Sequence, residues 1–555
     1  MPGWLFLSAS YEPRPAHYAG GDHAFACMAA TLGALRHEVH LLYTTTRGAA
    51  LAAAAEGGYL DRVSYSPHTE GVVTWASGGL TAHAALADAD VSAAGLLGGL
   101  LSGLGGGGGG GGFGGYGAAA PGYGQASTSG GGYGAASTSS AAPAFGGGGG
   151  GGGGGGSHGG GGGYPGELLQ RLLQEGAAVL QRRAAAPGGS GGGGGADFWV
   201  VVDADGAQSP PRAAGATASL LEAAVARWGR RVLVFAQNSH FLPFGPGGTA
   251  PRSPGLLRAW QLAGGALAPS RFVAGRLFDG GGGPLPATRV CVVSHAAWGA
   301  FGKPPFEDVG GRVTAALQER EARVQQQAAP PERGQGYGEA APAGAGEGQG
   351  GGADAGLPPV MMLKLTREKG SDVFFALARA LPSLRFVAVT ADPQLSAQAA
   401  ALGPPNVALL PPQPDVGALL AGASAVVVPS VWEEAFGMVA VDAALRGLPV
   451  LASDRGGLPE AGLGAATLLP VEPMLLPCGG DVAPSWGARE FPEQPAGVVA
   501  AWAGALSALL LESGAAERYA AQSVAARAAA GALVEGRNAH LAAFRGWLEA
   551  LEAMG

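Results

Sequence analysis

The sequence predicts an α/β fold of two Rossmann-like, doubly wound units in tandem, and three observations carry that prediction. Short apolar runs alternate with alanine-rich helical stretches. The runs are continuously apolar, as strands are when both sheet faces are covered. The alternation also breaks off at a Gln/Pro/Gly/Glu-rich tract and then starts again.

In the first half, "WLFLSAS", "EVHLLYT", "DFWVVVDA", "RVLVFAQ" and "TRVCVVS" read as parallel strands, and residues 22–36 and 213–229 as crossover helices. Residues 102–163 and 186–195 are glycine-rich and cannot bury enough apolar surface to offset the entropy of ordering them, so they read as disordered insertions. They lack the preceding strand and following helix that make a glycine run a phosphate loop. Residues 325–357 read as an interdomain linker. The second half supplies the strands "VMMLKL", "LRFVAVT", "VALLPP", "AVVVPS" and "LPVLAS", with helices at 370–381 and 394–402. Residues 496–553 are helical in pattern, punctuated by glycine near 514 and 531, with Trp502, Phe544 and Trp547 available for docking.

The domain plan that follows is an N-terminal unit over 1–310, a transition and disordered linker over 311–356, and a ligand-binding unit over 357–495. Helices over 496–555 complete the chain, the last packing back on the N-terminal unit. In doubly wound units ligands bind beyond the carboxyl ends of the strands, which points to the cleft between the two.

Composition excludes several classes. A net charge of −8 over 555 residues, with no basic face, argues against a nucleic-acid partner but leaves small anionic ligands open, since a few local cations suffice. Cys27, Cys291 and Cys478 lie far apart and suggest neither a zinc site nor a disulfide framework. No run approaches the ~20 apolar residues of a membrane span. "MPGWLFLSAS" lacks a basic leader and reads as a first strand. The expectation is a soluble, intracellular, cytoplasmic protein without an integral membrane segment, organelle targeting being left open.

The chemistry concentrates in "VVVPSVWEEAFGMVAVDAALRGLPVLASDRGGLPEA", residues 426–461. Glu434 falls at a strand-to-helix junction, at the positive end of a helix whose free amides, from Phe436 and Gly437 to Met438 and Val439, could hold a sugar ring or phosphate oxygens. Asp442 lies ~12 Å further along the axis if one helix carries both acids, which suits an elongated ligand. Taken alone, such acids are more often a helix-terminal charge and a solvated face.

The whole stretch resembles retaining GT-B glycosyltransferases of the family 4 type, whose pattern P-S-x-x-E-x-F-G-x-x-x-x-E-A is followed by a G-x-P-V strand and a GG-x-x-E loop. By that resemblance Glu434 would bind the donor sugar hydroxyls and support the anomeric region, and Asp442 would take the ribose hydroxyls. The family usually has glutamate there, one methylene longer. "MMLKLTREKGSD" at 361–372 resembles the family's "GRL-x-x-x-KG", which implies that Lys369 holds the diphosphate and that Lys364 stands in the arginine position. Cations there suit a reaction that builds negative charge on a leaving diphosphate.

More loosely, "YEPRPAHYAGGDHAFACMAATLGALRHEVHLLYT" resembles the family's first strand, glycine loop, helix and second strand. Gly20 and Gly21 would then let the backbone approach donor phosphate or acceptor, although a glycine pair is a turn as often as a site. "FAQNSHFLPFGPGG" places His240 like the family's active-site histidine, and a capping or core histidine remains equally open. His295, in "VVSHAAWGAFGKPPF", has no assigned role. Asp203 and Asp205 form a D-x-D after a strand; in GT-A enzymes such a pair binds a metal, but the tandem sheets favour GT-B and the pair reads as strand-end polar residues.

The resemblance therefore implies a glycosyltransferase that moves a sugar from a UDP-, GDP- or ADP-sugar to an unknown acceptor with retention, with no obligatory cofactor or metal. A catalytically degenerate nucleotide-sugar binder and a GT-B sugar-nucleotide epimerase are the alternatives.

Overall fold

The computed structural model describes residues 3–8, 20–45, 64–65, 72–77, 80–86, 166–185, 198–207, 219–245, 247–250, 252–301, 305–328, 356–413, 415–476 and 489–554. The expected insertions at 102–163 and 186–195, most of the expected linker and Cys478 lie outside these residues.

Two sheets organise the chain. The N-terminal sheet contains β1 (Gly3–Ser8), β2 (Val39–Thr45), β3 (Ser64–Tyr65), β4 (Val72–Ser77), β5 (Leu80–Leu86), β6 (Phe198–Asp203), β7 (Val232–Phe235), β8 (Gly265–Ala268) and β9 (Val290–Val292). Their order is β3-β4-β5-β2-β1-β6-β7-β8-β9, parallel except where β3, β4 and β5 pair antiparallel at one edge. Every residue of β1 is buried, as a central strand with both faces covered requires. β8 reads "GALA", too weakly apolar to stand out as a strand, yet it is buried throughout.

The C-terminal sheet is wholly parallel. It contains β10 (Val360–Met362), β11 (Phe386–Val389), β12 (Val407–Leu410), β13 (Ala425–Val428), β14 (Val450–Ser453) and β15 (Thr467–Leu469), in the order β12-β11-β10-β13-β14-β15. The direction of strand succession reverses between β10 and β13, so the loops leaving these two strands flank the crevice where doubly wound sheets bind ligands. The same reversal occurs between β1 and β6 in the N-terminal sheet.

Three expectations need correction. Residues 311–328, expected to begin a disordered linker, belong to the helix Val309–Ala328, whose Val313 and Leu317 are buried in the core of the C-terminal sheet. Gly531 does not punctuate the C-terminal helices: Ala515–Glu535 runs through it, and the break comes at Gly536. Gly20 and Gly21 are not a loop but the first two residues of the helix Gly20–Ala34.

Chain crossings tie the two sheets together. Gly310 donates its N–H to the Arg446 carbonyl at 3.0 Å. A Cβ on Gly310 would stand 2.0 Å from the Gly447 carbonyl oxygen, so only glycine permits this approach. The helix Ala515–Glu535 sits on the C-terminal sheet, where the Tyr519 hydroxyl donates to the Ser424 carbonyl at 2.7 Å. After Gly536 the helix Arg537–Ala553 lies against the N-terminal sheet. Its Phe544 ring packs 6.0 Å from Trp4 and 5.2 Å from Trp298, and the Trp547 indole donates to the Thr288 carbonyl at 3.1 Å. Among the described residues no single helix is long and apolar enough to cross a membrane.

Phe544 is therefore the anchor of the returning helix. Phe544→Ala is expected to remove about 3 kcal/mol from the stability of the N-terminal unit, as loss of a buried aromatic does. Urea unfolding followed by tryptophan fluorescence measures it, and an unchanged midpoint would show that the terminal helix does not brace that unit.

Candidate active site

Three loops at the carboxyl ends of β10, β13 and β14 interlock. They are residues 363–370, 429–437 and 454–457. Val431 and Trp432 donate their N–H groups to the Glu368 carbonyl at 3.0 and 3.3 Å, joining the first loop to the second. The Ser453 hydroxyl donates to the Ser430 carbonyl at 2.7 Å, and Gly457 N–H to the Glu434 carbonyl at 2.7 Å, joining the second to the third. Such close backbone approach dictates two glycines. Gly370 has φ +86° and a Cβ there would lie 2.0 Å from the Pro429 carbonyl oxygen; Gly456 has φ +62° and its Cβ would lie 2.3 Å from the Glu434 carbonyl oxygen.

Within this framework Lys369 Nζ donates to Glu434 Oε1 at 2.5 Å. The Glu434 carboxylate also accepts from the Ser430 hydroxyl. Burial alone would raise the Glu434 carboxyl, but the Lys369 charge and these hydrogen bonds overcome it and hold the group below the ordinary carboxylate value. Burial lowers the Lys369 ammonium, Lys364 nearby pushes the same way, and the Glu434 charge only partly restores it. Lys369 Nζ also stands 4.3 Å from the Trp432 ring centroid, on its face.

The N-terminal domain meets this cluster directly. His240, in the turn Ser239–Phe241 after β7, is buried. Its Nε2 accepts the Glu433 backbone N–H at 3.3 Å, and its Nδ1 lies 3.4 Å from the Gly247 carbonyl. An imidazole that accepts at Nε2 and donates at Nδ1 is neutral. Burial lowers its pKa, against the partial opposition of the Glu433 charge. The ring stacks on Trp432, with centroids 5.7 Å apart and planes inclined by 19°.

Glu433, to which the sequence assigns nothing, is the main polar link between the domains. Its carboxylate accepts from Arg276 at 3.0 Å and from the Ser239 hydroxyl at 3.3 Å. The Ser270 hydroxyl donates to the Ala435 carbonyl at 2.5 Å. Glu460 completes the contact by accepting the N–H groups of Arg271 and Phe272, at 3.0 and 2.9 Å, at the start of the helix Arg271–Leu277.

The remaining sequence candidates fall elsewhere. The helix beyond the second loop begins at Met438, so Glu434 precedes it by four residues and the axial distance to Asp442 that assumed one helix does not apply. Met438 and Val439 form its first turn, where N–H groups find no partner within a helix. Gly437, at φ +105°, caps it, because a Cβ would strike Leu458 at 2.5 Å. The Phe436 ring is buried and packs edge-on against His295 at 5.1 Å, which gives His295 a place in the core beneath the loop. Asp442 has no bond to Lys369 or Glu434; its neighbour is Arg446, at 3.9 Å on the same helix. Lys364 is exposed. Asp203 ends β6, where its carboxylate accepts from Ser8, Gln237 and the Asp205 backbone at 3.1, 2.8 and 3.2 Å, the polar finish of a buried strand. Among the described residues no group of three or more His, Cys, Asp or Glu is placed to hold a metal ion.

Two parallel-sheet α/β domains with a polar cluster where they meet define the GT-B architecture. Residues 360–462, from β10 through the GG-x-x-E loop, match the family model of glycosyl transferases group 1. No curated protein matches the chain. Among solved structures, similar ones include Anabaena HepE in complex with UDP and glucose (15% identity, covering 98% of this chain and 100% of that one, TM-score 0.47). Sucrose-phosphate synthase from Thermosynechococcus elongatus is similar at 13% identity, 99% and 100% coverage and a TM-score of 0.49. The catalytic domain of Arabidopsis thaliana starch synthase IV, bound to ADP and acarbose, is similar at 12% identity, 99% coverage of both chains and a TM-score of 0.48.

Asp442 sets a pH dependence. Burial pushes its carboxyl up to about 7 from 3.8, with Arg446 opposing. The folded protein thus binds more protons than the unfolded chain between those values, and stability falls as pH rises through that window. Asp442→Asn is expected to melt close to wild type at about pH 4 and progressively higher than wild type towards about pH 8, as thermal melts across the window will show. An offset that stays constant with pH would mean Asp442 does not titrate there.

Proposed function

We propose that this protein is a retaining glycosyltransferase of the family 4 type that moves a sugar from a nucleotide-sugar donor, a UDP-, GDP- or ADP-sugar, to an acceptor. The donor occupies the C-terminal domain, residues 357–495, and the acceptor approaches from the N-terminal domain, residues 1–310. The observation that carries this reading is the buried Lys369–Glu434 pair at the switch point between β10 and β13, with neutral His240 brought against the same loop from the other domain. The match of residues 360–462 to the glycosyl transferases group 1 family supports it.

Lys369 is the cation for the leaving diphosphate, and Lys364, exposed at the same loop, can join it. Glu434 takes donor-sugar hydroxyls through its carboxylate. His240, donating at Nδ1 and accepting at Nε2, is suited to a hydroxyl as a neutral partner. Met438 and Val439 supply N–H donors at a helix start. In transfer, the bond from the anomeric carbon to the phosphate oxygen breaks. The acceptor oxygen bonds that carbon from the same face, and its proton passes to the departing phosphate. No cofactor is part of this scheme.

A second reading, a catalytically degenerate nucleotide-sugar binder, is favoured by one observation: Asp442, the ribose candidate, is paired with Arg446. The two separate experimentally. Thermal-shift screening against UDP-, GDP- and ADP-sugars is expected to find one stabilising donor, since a ligand that binds only the folded state raises stability with its concentration. That donor is expected to be hydrolysed or transferred by wild type, and turned over at least about 100-fold more slowly by Glu434→Ala and Lys369→Ala, the scale of losing one transition-state donor. Binding without turnover across an acceptor panel would leave the binder; interconversion of the donor without acceptor would indicate an epimerase.

A further inference from the structure

We propose that Trp432 is a positioning residue that couples contact between the two domains to the alignment of Glu434 and Lys369, and this inference rests on the function proposed above. One side chain meets both the other domain and the Lys369–Glu434 pair. Its ring stacks on His240 of the N-terminal domain at 5.7 Å, and its face carries, at 4.3 Å, the Lys369 ammonium that is bound to Glu434. Its backbone N–H is bound to the Glu368 carbonyl, in the loop of Lys369, and the next residue, Glu433, is bound to His240, Ser239 and Arg276.

The physical argument is one of rigidity. Tryptophan has two rotatable side-chain bonds, so a ring held on His240 and Lys369 from a backbone bound to Glu368 is fixed, and a fixed indole in turn fixes what it touches. The Lys369 stem is flexible, and Glu434 alone could hold its ammonium in several orientations; the aromatic face selects one. His240 stacks only while the domains are together. When the cleft parts, the indole loses the surface that holds its plane, and the donor groups lose their common reference. Domain contact is thereby read by the donor site through one side chain.

The test uses full-length protein and whichever of UDP-, GDP- and ADP-glucose wild type hydrolyses or transfers. Trp432→Leu is expected to lower kcat at least tenfold while the affinity for the free nucleotide diphosphate changes less than threefold. Trp432→Phe, which keeps an aromatic face for His240 and Lys369, is expected to recover most of kcat. Wild-type kcat in Trp432→Leu would overturn the proposal, as would a folded Trp432→Phe that loses kcat tenfold or more, which decides the matter if the leucine variant does not fold. If Glu434→Gln and Lys369→Ala are also fully active, the underlying function fails; if they are inactive and the Trp432 variants behave as wild type, only this inference fails.

Discussion

A buried glutamate and a lysine largely buried against it set the terms for everything around them. Leaving either charge alone in that environment would cost several kcal/mol, so each is tolerated only because the other is within hydrogen-bond distance. The pair bridges two loops from adjacent strands, and those loops must therefore approach at backbone distance. That is why Gly370 and Gly456 stand where a Cβ would meet a carbonyl oxygen, and why Ser430, Ser453 and Gly457 spend their hydrogen bonds joining one loop to the next. A ligand offering an anion to Lys369 and hydroxyls to Glu434 can replace each partner for the other. A ligand offering only one of the two leaves a buried charge unmatched, which is a physical basis for selecting a molecule that carries both.

Adjacent glutamates have opposite loyalties. Glu434 serves its own domain through Lys369, while Glu433 faces the other through Arg276 and Ser239. The contact at Glu433 is partly exposed and screened, so its Coulomb energy is modest. Its geometric effect is larger, because it fixes the backbone N–H that His240 accepts. Specificity of placement, more than binding strength, is what that ion pair contributes.

Much of this was readable in the residues, and the failures have physical causes. Strands β1, β2, β6 and β7 and most of the C-terminal strands are rich in Val, Leu and aromatic residues, and burial on both faces makes such runs conspicuous. β8, with Leu267 as its one large apolar residue among glycine and alanine, carries too weak an apolar signal to stand out. β4 and β5 are joined through Gly78 and Gly79, a Gly-Gly hairpin signal in the sequence. The helix Val309–Ala328 looked like linker because only its first turns are apolar; the rest is Gln, Glu and Arg on a solvated face. In the site, Glu434 and Lys369 were legible because a motif fixes them together. Glu433, Arg276, Ser270 and Glu460 were not, since each makes its bond to the other domain and no local pattern records a partner some 160 to 190 residues away. Trp432 carries no local signal either, because an aromatic residue beside an apolar strand reads as core.

Concentration of these contacts has a consequence for how the molecule works. Residues 432–435 hold the His240 stack, the Glu433 ion pair, the Glu434 cluster and the Ala435 carbonyl that Ser270 grips, so domain contact and the proposed donor contact share one short segment. A ligand that shifts Glu434 strains the bonds its neighbours make across the cleft, and parting the domains releases the segment that carries Glu434. Thermodynamic linkage makes the two effects reciprocal: whatever free energy ligand binding lends to closure, closure returns to ligand binding. The helix Arg537–Ala553 limits how far that exchange can go, since Gly536 alone separates a helix anchored on the C-terminal sheet from one anchored on the N-terminal sheet by Phe544 and Trp547. Motion about such a crossing is a hinge of small amplitude, and a small amplitude is enough, because a hydrogen bond between Glu433 and His240 is lost within about an ångström of displacement.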